Sequence, residues 1–223
     1  MRYAREPMLS KFSPVFLAGA ALFAATGHGV VLDNDSVKVI NAVDAPGKKG
    51  AMHQHTVNRV MIYLDAGHQR IVPQDGQVRD FTVKAGEVRF DHAGGLHTSE
   101  NVGKDPLRIV EVELKKPHGD PVSPSALDPV KLDPKHYKVE FENDQVRVIR
   151  AHYGPHESGP LHEQKLPRVT VYLTPQYMKV TSADGKSQEA RADAGDVKWA
   201  AAAKHSEQNL SDQAFEVIAV EVK

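Results

Sequence analysis

The feature that most constrains this chain is a repeat. The segment "NDSVKVINAVDAP" at 34–46 returns as "NDQVRVIRAHYGP" at 143–155, a shift of 109. The same shift pairs His53 with His162, Arg59 with Arg168, Tyr63 with Tyr172, and Gly86 with Gly195. One deletion changes the shift to 108, which then pairs His97 with His205, Asn101 with Asn209 and Glu113 with Glu221. Self-similarity in one sustained register means a duplicated unit, so any fold proposed for one half must serve the other.

Each copy is a series of short Val-rich runs broken by turn residues, among them "DSVKVINAV", "NRVMIYLDA" and "RIVEVEL". That pattern belongs to an all-β sandwich or barrel. The dipeptides Asp75-Gly76 and Asp184-Gly185 are expected to turn hairpins with a residue at positive φ. Residues 117–136 separate the copies and carry five prolines; proline cannot donate to a sheet ladder, so this stretch reads as a linker. The expected organisation is a leader at 1–27, a first unit at 28–116, the linker at 117–136 and a second unit at 137–223. In the leader, Arg2, Arg5 and Lys11 precede the apolar run "PVFLAGAALFAATG". A basic start, a short apolar run and small residues form a secretory signal, and the run is shorter than the roughly 20 residues of a bilayer span. A periplasmic or secreted protein is expected, with no membrane attachment after signal cleavage. The chain has no cysteine, and its 28 basic and 29 acidic residues almost cancel. No basic stripe with interleaved aromatics is present, which argues against a nucleic-acid partner.

The chemistry-bearing stretch is "AMHQHTVNR". His53 and His55 lie two apart before an apolar run, so on a strand they share a face. Facing inward they are half of a metal site; facing outward they are a polar edge. In the second copy "LHEQKLPR" keeps His162 but has Gln164 at the other position.

These residues, together with "GEVRFDHAGGLHTSEN", resemble the two motifs of the cupin superfamily. His53 and His55 stand at the first motif's histidine positions, with Arg59 where the family has glutamate. Gly86, Gly94, His97 and Asn101 fall at the second motif's spacing, with His92 in place of proline. In copy two, His162, Gln164 and Arg168, then Gly195, His205 and Asn209, match one residue short. The resemblance covers nearly all of residues 30–223. It implies two tandem cupin-type double-stranded β-helix (jelly-roll) barrels, a bicupin.

The resemblance further implies that His53, His55 and His97 converge on one divalent transition metal. Neutral imidazole suits iron, copper, zinc and nickel; iron or copper is favoured, with zinc, nickel or manganese as the others. Three-histidine cupins resemble dioxygenases of small enolic, phenolic or thiol-bearing acids, and some copper cupins oxidise carbohydrate. The implied function is therefore a secreted mononuclear metal oxidoreductase, dioxygenase-like, acting on a small anionic or carbohydrate-type substrate. The alternatives are a non-catalytic periplasmic metal- or small-molecule-binding bicupin, and a metal-free isomerase. Three neutral ligands leave the ion's charge intact, and an inward Arg59 would add to it, favouring anions. Arg59 recurs as Arg168, however, which reads as a structural feature of both barrels. His92 and Asn101 are expected near the site, fixing imidazoles or touching substrate. His162, Gln164 and His205 make a degenerate second site. His68, His118, His136, His152 and His156 are expected on loops and the surface, Trp199 in the core like Phe90. A homodimer paired through barrel faces is a further expectation.

Overall fold

The computed structural model describes residues 27–223; apart from Gly27, the leader expected at 1–27 lies outside the described residues. The first copy forms nine strands: β1 (Gly27–Asp33), β2 (Val37–Asp44), β3 (His53–His55), β4 (Arg59–Tyr63), β5 (Gly67–Pro73), β6 (Arg79–Val83), β7 (Val88–Asp91), β8 (Gly94–Asn101) and β9 (Leu107–Leu114). They close as two antiparallel sheets, ordered β1-β2-β9-β4-β7 and β3-β8-β5-β6. After the short helix α1 (Pro129–Leu132), the second copy repeats them. Its strands are β10 (Tyr137–Glu142), β11 (Val146–Tyr153), β12 (His162–Gln164), β13 (Arg168–Tyr172), β14 (Gln176–Ser182), β15 (Ser187–Ala192), β16 (Val197–Ala200), β17 (Ala203–Asn209) and β18 (Phe215–Val222). The sheet orders β10-β11-β18-β13-β16 and β12-β17-β14-β15 are those of the first copy. Two tandem all-β barrels result.

The central strands of the five-stranded sheets are covered on both faces, and β4 (RVMIY) is buried at every position. One face looks into its own barrel. The other packs on the opposite barrel: Val37, Val39, Val60, Ile62, Val110 and Val112 meet Val146, Val148, Val169, Val171, Ile218 and Val220 in one core. Phe90 and Trp199 both pack against it. Each such fully buried side chain contributes on the order of 1.5–3 kcal/mol, so the two barrels fold as one body. Polar clasps flank the core, from Asn58 Nδ2 to Gln145 Oε1 at 2.6 Å and from Arg150 Nη2 to the Gly86 carbonyl at 2.6 Å.

The linker has no strand between Leu114 and Tyr137. It runs along barrel 2, where Asp128 caps α1 and binds Arg147, and the Leu127 carbonyl accepts from the Glu163 amide. Gly86 and Gly195 hold the same place in both copies, at φ 78° and 91°, each donating to a tyrosine carbonyl (Tyr63, Tyr172) at 2.7 Å. The positive φ explains why both are glycine. The two Asp-Gly turns differ. Gly185 sits at φ 82° in the tight β14–β15 hairpin, as expected, whereas Gly76 is not at positive φ. Five residues, 74–78, span β5 to β6 in copy one, and a loop that wide does not force the left-handed region.

Candidate metal centre

The first histidine strand is anchored by β8. His53 and His97 are directly opposite across the β3–β8 ladder, and the register then slips so that His55 meets Gly94. In barrel 2 the same ladder is regular, with His162 opposite His205 and Gln164 opposite Ala203. The residue that copy one has in excess is thus a β-bulge beside the three imidazoles. Bulges re-aim side chains where a ladder would otherwise be regular.

The structure brings His53, His55 and His97 together, with one ring nitrogen from each within 4.8 Å of the others. The opposite nitrogens are held. His53 Nδ1 donates to the Ala51 carbonyl at 2.8 Å and His97 Nδ1 to the Gly95 carbonyl at 3.0 Å. His55 Nδ1 faces Glu113 Oε1 at 3.6 Å. A carbonyl only accepts, so His53 and His97 carry their protons on Nδ1 and turn bare Nε2 lone pairs inward. Burial, followed by the charges of Arg59, His53 and His97, pushes His55 down to about 3. Burial also lowers His97. Three imidazoles with convergent ring nitrogens, two of them braced by a carbonyl on the far side, fit a transition-metal ion. The residues present suit the group.

Behind the trio lies a cavity of about 530 Å³, lined among others by Arg59, Tyr63, Arg79, Phe81 and Glu111. That is within the roughly 300–1,000 Å³ of small-molecule sites. A larger hollow of about 640 Å³ follows the linker past Lys116, Asp120 and Lys165, but it gathers no ligand cluster.

Arg59 is buried and divided between Glu111 (Nη1 to Oε2, 3.4 Å) and Asp91 (Nη2 to Oδ2, 3.4 Å). Its charge is therefore offset by two carboxylates, and the expectation that it draws anions to the metal is corrected. Arg168 in barrel 2 is also buried and donates to the Ala201 carbonyl. His92 is exposed at the outer rim, its ring edge-on to Phe90 at 5.1 Å; with His55, Arg59 and His97 it lines a neighbouring hollow. Asn101 does not reach the site. Its amide binds the Asp44 and Asp105 carbonyls and its oxygen accepts from the Gly103 amide, all backbone groups that pin a loop. Asn209 repeats this role on Gly154, Gln213 and Ser211.

Of the histidines expected on the surface, His118, His152 and His156 are exposed and His68 pairs with Asp80. His136 is a correction. It is 6 % exposed, stacks on Tyr153 at 4.1 Å, and bonds both Asp133 (2.6 Å) and Glu157 (3.0 Å). Proximity to the proline-rich linker disguised a core residue. His28 lies on the cavity wall, 3.5 Å from Asp44, which raises it.

Three acidic residues were missed. Glu111 and Glu113 sit inside an apolar strand, "RIVEVEL", where alternation puts them on one side with Ile109 and the cavity lining identifies that side as the barrel's inner one. Burial, opposed by Arg59, raises Glu111. The third is Glu207. The structure gathers it with His162 and His205, all offering a ligand atom within 4.8 Å of the others. Burial works to raise Glu207, yet His205, His162 and the Tyr137 hydroxyl hold it down at about 2. The degenerate set His162, Gln164 and His205 is therefore incomplete as read: Glu207 stands where copy one has Ser99.

No protein-family model matches the chain, and no curated protein matches it in sequence. Solved structures do. AerE from Microcystis aeruginosa is 14% identical with a TM-score of 0.62, over 88% of this chain and 97% of that one. A Cupin 2 conserved barrel domain protein from Leptotrichia buccalis is 15% identical with a TM-score of 0.56, over 88% of each chain. A variant of oxalate decarboxylase from Bacillus subtilis is 14% identical with a TM-score of 0.58, over 83% of this chain and 68% of that one. Another structure of the last protein, at TM-score 0.54, is described for its Mn(II) centres. These likenesses establish the fold as two tandem cupin barrels.

Proposed function

We propose that this bicupin is a secreted, mononuclear metal oxidoreductase, dioxygenase-like, whose first barrel acts on a small anionic or carbohydrate-type substrate. One observation carries the reading: three imidazoles bring a ring nitrogen each within 4.8 Å of one another at a cavity of about 530 Å³. His53, His55 and His97 would hold the ion, for which iron or copper is favoured. A redox-active ion bound there supplies the one-electron chemistry that dioxygen requires.

The chain's own residues do the rest. The Ala51 and Gly95 carbonyls orient the His53 and His97 rings, and Glu113 lies beside His55. Arg59, Glu111 and Asp91 form a fixed charged wall. Arg89 is paired with Glu87 and lies over the Phe81 ring. Arg79, exposed and without a carboxylate partner among the described residues, lines both the cavity and the neighbouring hollow. It supports an anionic substrate better than Arg59 does. The signal-like pattern at 1–27 supports a periplasmic or secreted location.

The test is oxygen uptake by the iron- or copper-loaded protein against a panel of small hydroxy-, keto- and thiol acids and sugars. Uptake with one class, abolished in His97→Ala and weakened in Arg79→Ala, is expected. Metal and ligand binding without uptake across the panel would overturn the catalytic reading in favour of a binding protein.

A further inference from the structure

We infer that barrel 2 is a second metal site, closed and structural, in which His162, His205 and Glu207 bind a divalent first-row transition ion. The donor set is not the one that the repeat supplies to barrel 1. Glu207 lies two residues beyond His205 on β17, so both face the barrel interior, and His162 is directly opposite His205.

Three observations support an ion there. First, His162 is completely buried, and its Nδ1 donates to the Pro160 carbonyl at 3.1 Å. That arrangement copies His53 on the Ala51 carbonyl. It leaves Nε2 as a bare, buried lone pair, and Nε2 has no hydrogen-bond partner among the described residues. Buried polar atoms are almost always satisfied, and an orphan calls for an unseen water or ion. Second, Gln164 Oε1, two residues on along β12, is another buried acceptor with no donor. Two orphan acceptors on one strand require a cation or donor between them and their neighbours. Third, Glu207 already accepts a hydrogen bond from the Tyr137 hydroxyl at 2.6 Å, the kind of outer contact that steadies a ligating carboxylate. Its other oxygen faces His205 Nε2 at 3.4 Å. Two imidazoles and one carboxylate are a donor set used for zinc and non-haem iron.

The surroundings separate this site from barrel 1. Where barrel 1 has His28, Asp44 and Gln69 on its cavity wall, the equivalent positions in barrel 2 are Tyr137, Tyr153 and Met178, all buried. The second interior is filled with rings rather than open to a substrate. An ion there would brace the barrel, not turn over a ligand.

The experiment is zinc stoichiometry by elemental analysis on full-length protein refolded with excess Zn(II) and then desalted. The double variant His53→Ala/His97→Ala dismantles the first site and leaves barrel 2 untouched. It is expected to retain about one equivalent of zinc, against about two in wild type. Adding Glu207→Gln, which keeps an oxygen for the Tyr137 hydroxyl, is expected to weaken the remaining binding by about 100-fold or more, since even outer-shell changes cost roughly 10–100-fold. A folded His53→Ala/His97→Ala protein without zinc would overturn the inference while leaving the barrel 1 reading intact. So would retention of zinc unaffected by both Glu207→Gln and His162→Ala. If instead wild type holds one equivalent that survives His53→Ala/His97→Ala and is lost in Glu207→Gln, barrel 2 is the metal site and the barrel 1 reading fails.

Discussion

Arg59→Met separates the two roles that sequence allows for this arginine. Its side chain is 9% exposed, as is that of Glu111, and the two meet at 3.4 Å. Removing the guanidinium strands a buried carboxylate, which costs about 3–5 kcal/mol. The lower end applies, because 3.4 Å is long for a charge-assisted bond and Asp91, the second partner, is 37% exposed and can turn to water. At about 3 kcal/mol, and roughly 2–4 °C per kcal/mol for a chain of this size, the melting temperature should fall by about 6–12 °C. Arg59→Met/Glu111→Leu should recover most of that loss, since an apolar pair of similar volume can replace a buried ion pair at little cost.

The deficit also has a sign in pH. Burial already raises Glu111 above the usual carboxylate range, and loss of Arg59 raises it further. On acidification the folded state then takes up the proton before the unfolded state does, so it binds more protons and gains stability as pH falls toward about 4.5. The gap between Arg59→Met and wild type should therefore shrink from pH 8 to pH 5, measured by calorimetry on apo protein. Melting within about 2 °C of wild type, or no recovery with Glu111→Leu, would refute the structural role and return Arg59 to the reaction.

Three further outcomes are expected. Filling barrel 1 as barrel 2 is filled, with His28→Tyr/Asp44→Tyr/Gln69→Met, should leave metal content unchanged and cut turnover or ligand affinity by about tenfold or more, roughly 1.4 kcal/mol; unchanged kinetics would place the substrate elsewhere. The folded His55 sits at about 3 against 6.5 unfolded, so the unfolded chain binds the extra proton, and apo stability should decline as pH falls from about 6.5 toward 3. His55→Gln should flatten that slope in denaturant titrations, and an unaltered slope would contradict it. Ile62→Ala, at the inter-barrel core, should cost about 2–5 kcal/mol and lower one shared unfolding transition, seen by fluorescence of Trp199; two separate transitions would show barrels that fold independently.

What the sequence revealed, and what it hid, follows from the physics of each residue. The repeat and the Val-rich alternation specify paired barrels because every strand must bury a face. His53 and His55 were visible because period-two spacing puts them on one side, and His97 because the motif spacing fixes its strand. Glu207 was invisible for a related reason. Matching one copy against the other sets it opposite Ser99, which has no chemistry to flag, and only the folded ladder shows that the residue two beyond His205 returns to the same interior. Glu111 and Glu113 were hidden by a strand buried on both sides, whose pattern no longer marks the inner face. His136 needed its partners Asp133, Glu157 and Tyr153 before its burial made sense.

The divergence of the copies is concentrated in few positions. The shared outer faces cannot vary freely, since the valines of the inter-barrel core on one sheet are packed against those of the other. The interiors can. Exchanging Tyr137, Tyr153 and Met178 for His28, Asp44 and Gln69 replaces a packed interior with a cavity wall, and Ala219 for Glu111 adds a buried carboxylate that Arg59 offsets. The single inserted residue in β8 then bulges the ladder and lets His55 join His53 and His97, where the regular ladder of barrel 2 carries Gln164 instead. Deleting Gly95 should restore that regular ladder, turn His55 away from the trio and lower metal affinity in barrel 1 while sparing barrel 2. Retained affinity at barrel 1 would mean that the H-x-H spacing alone, not the bulge, builds the site.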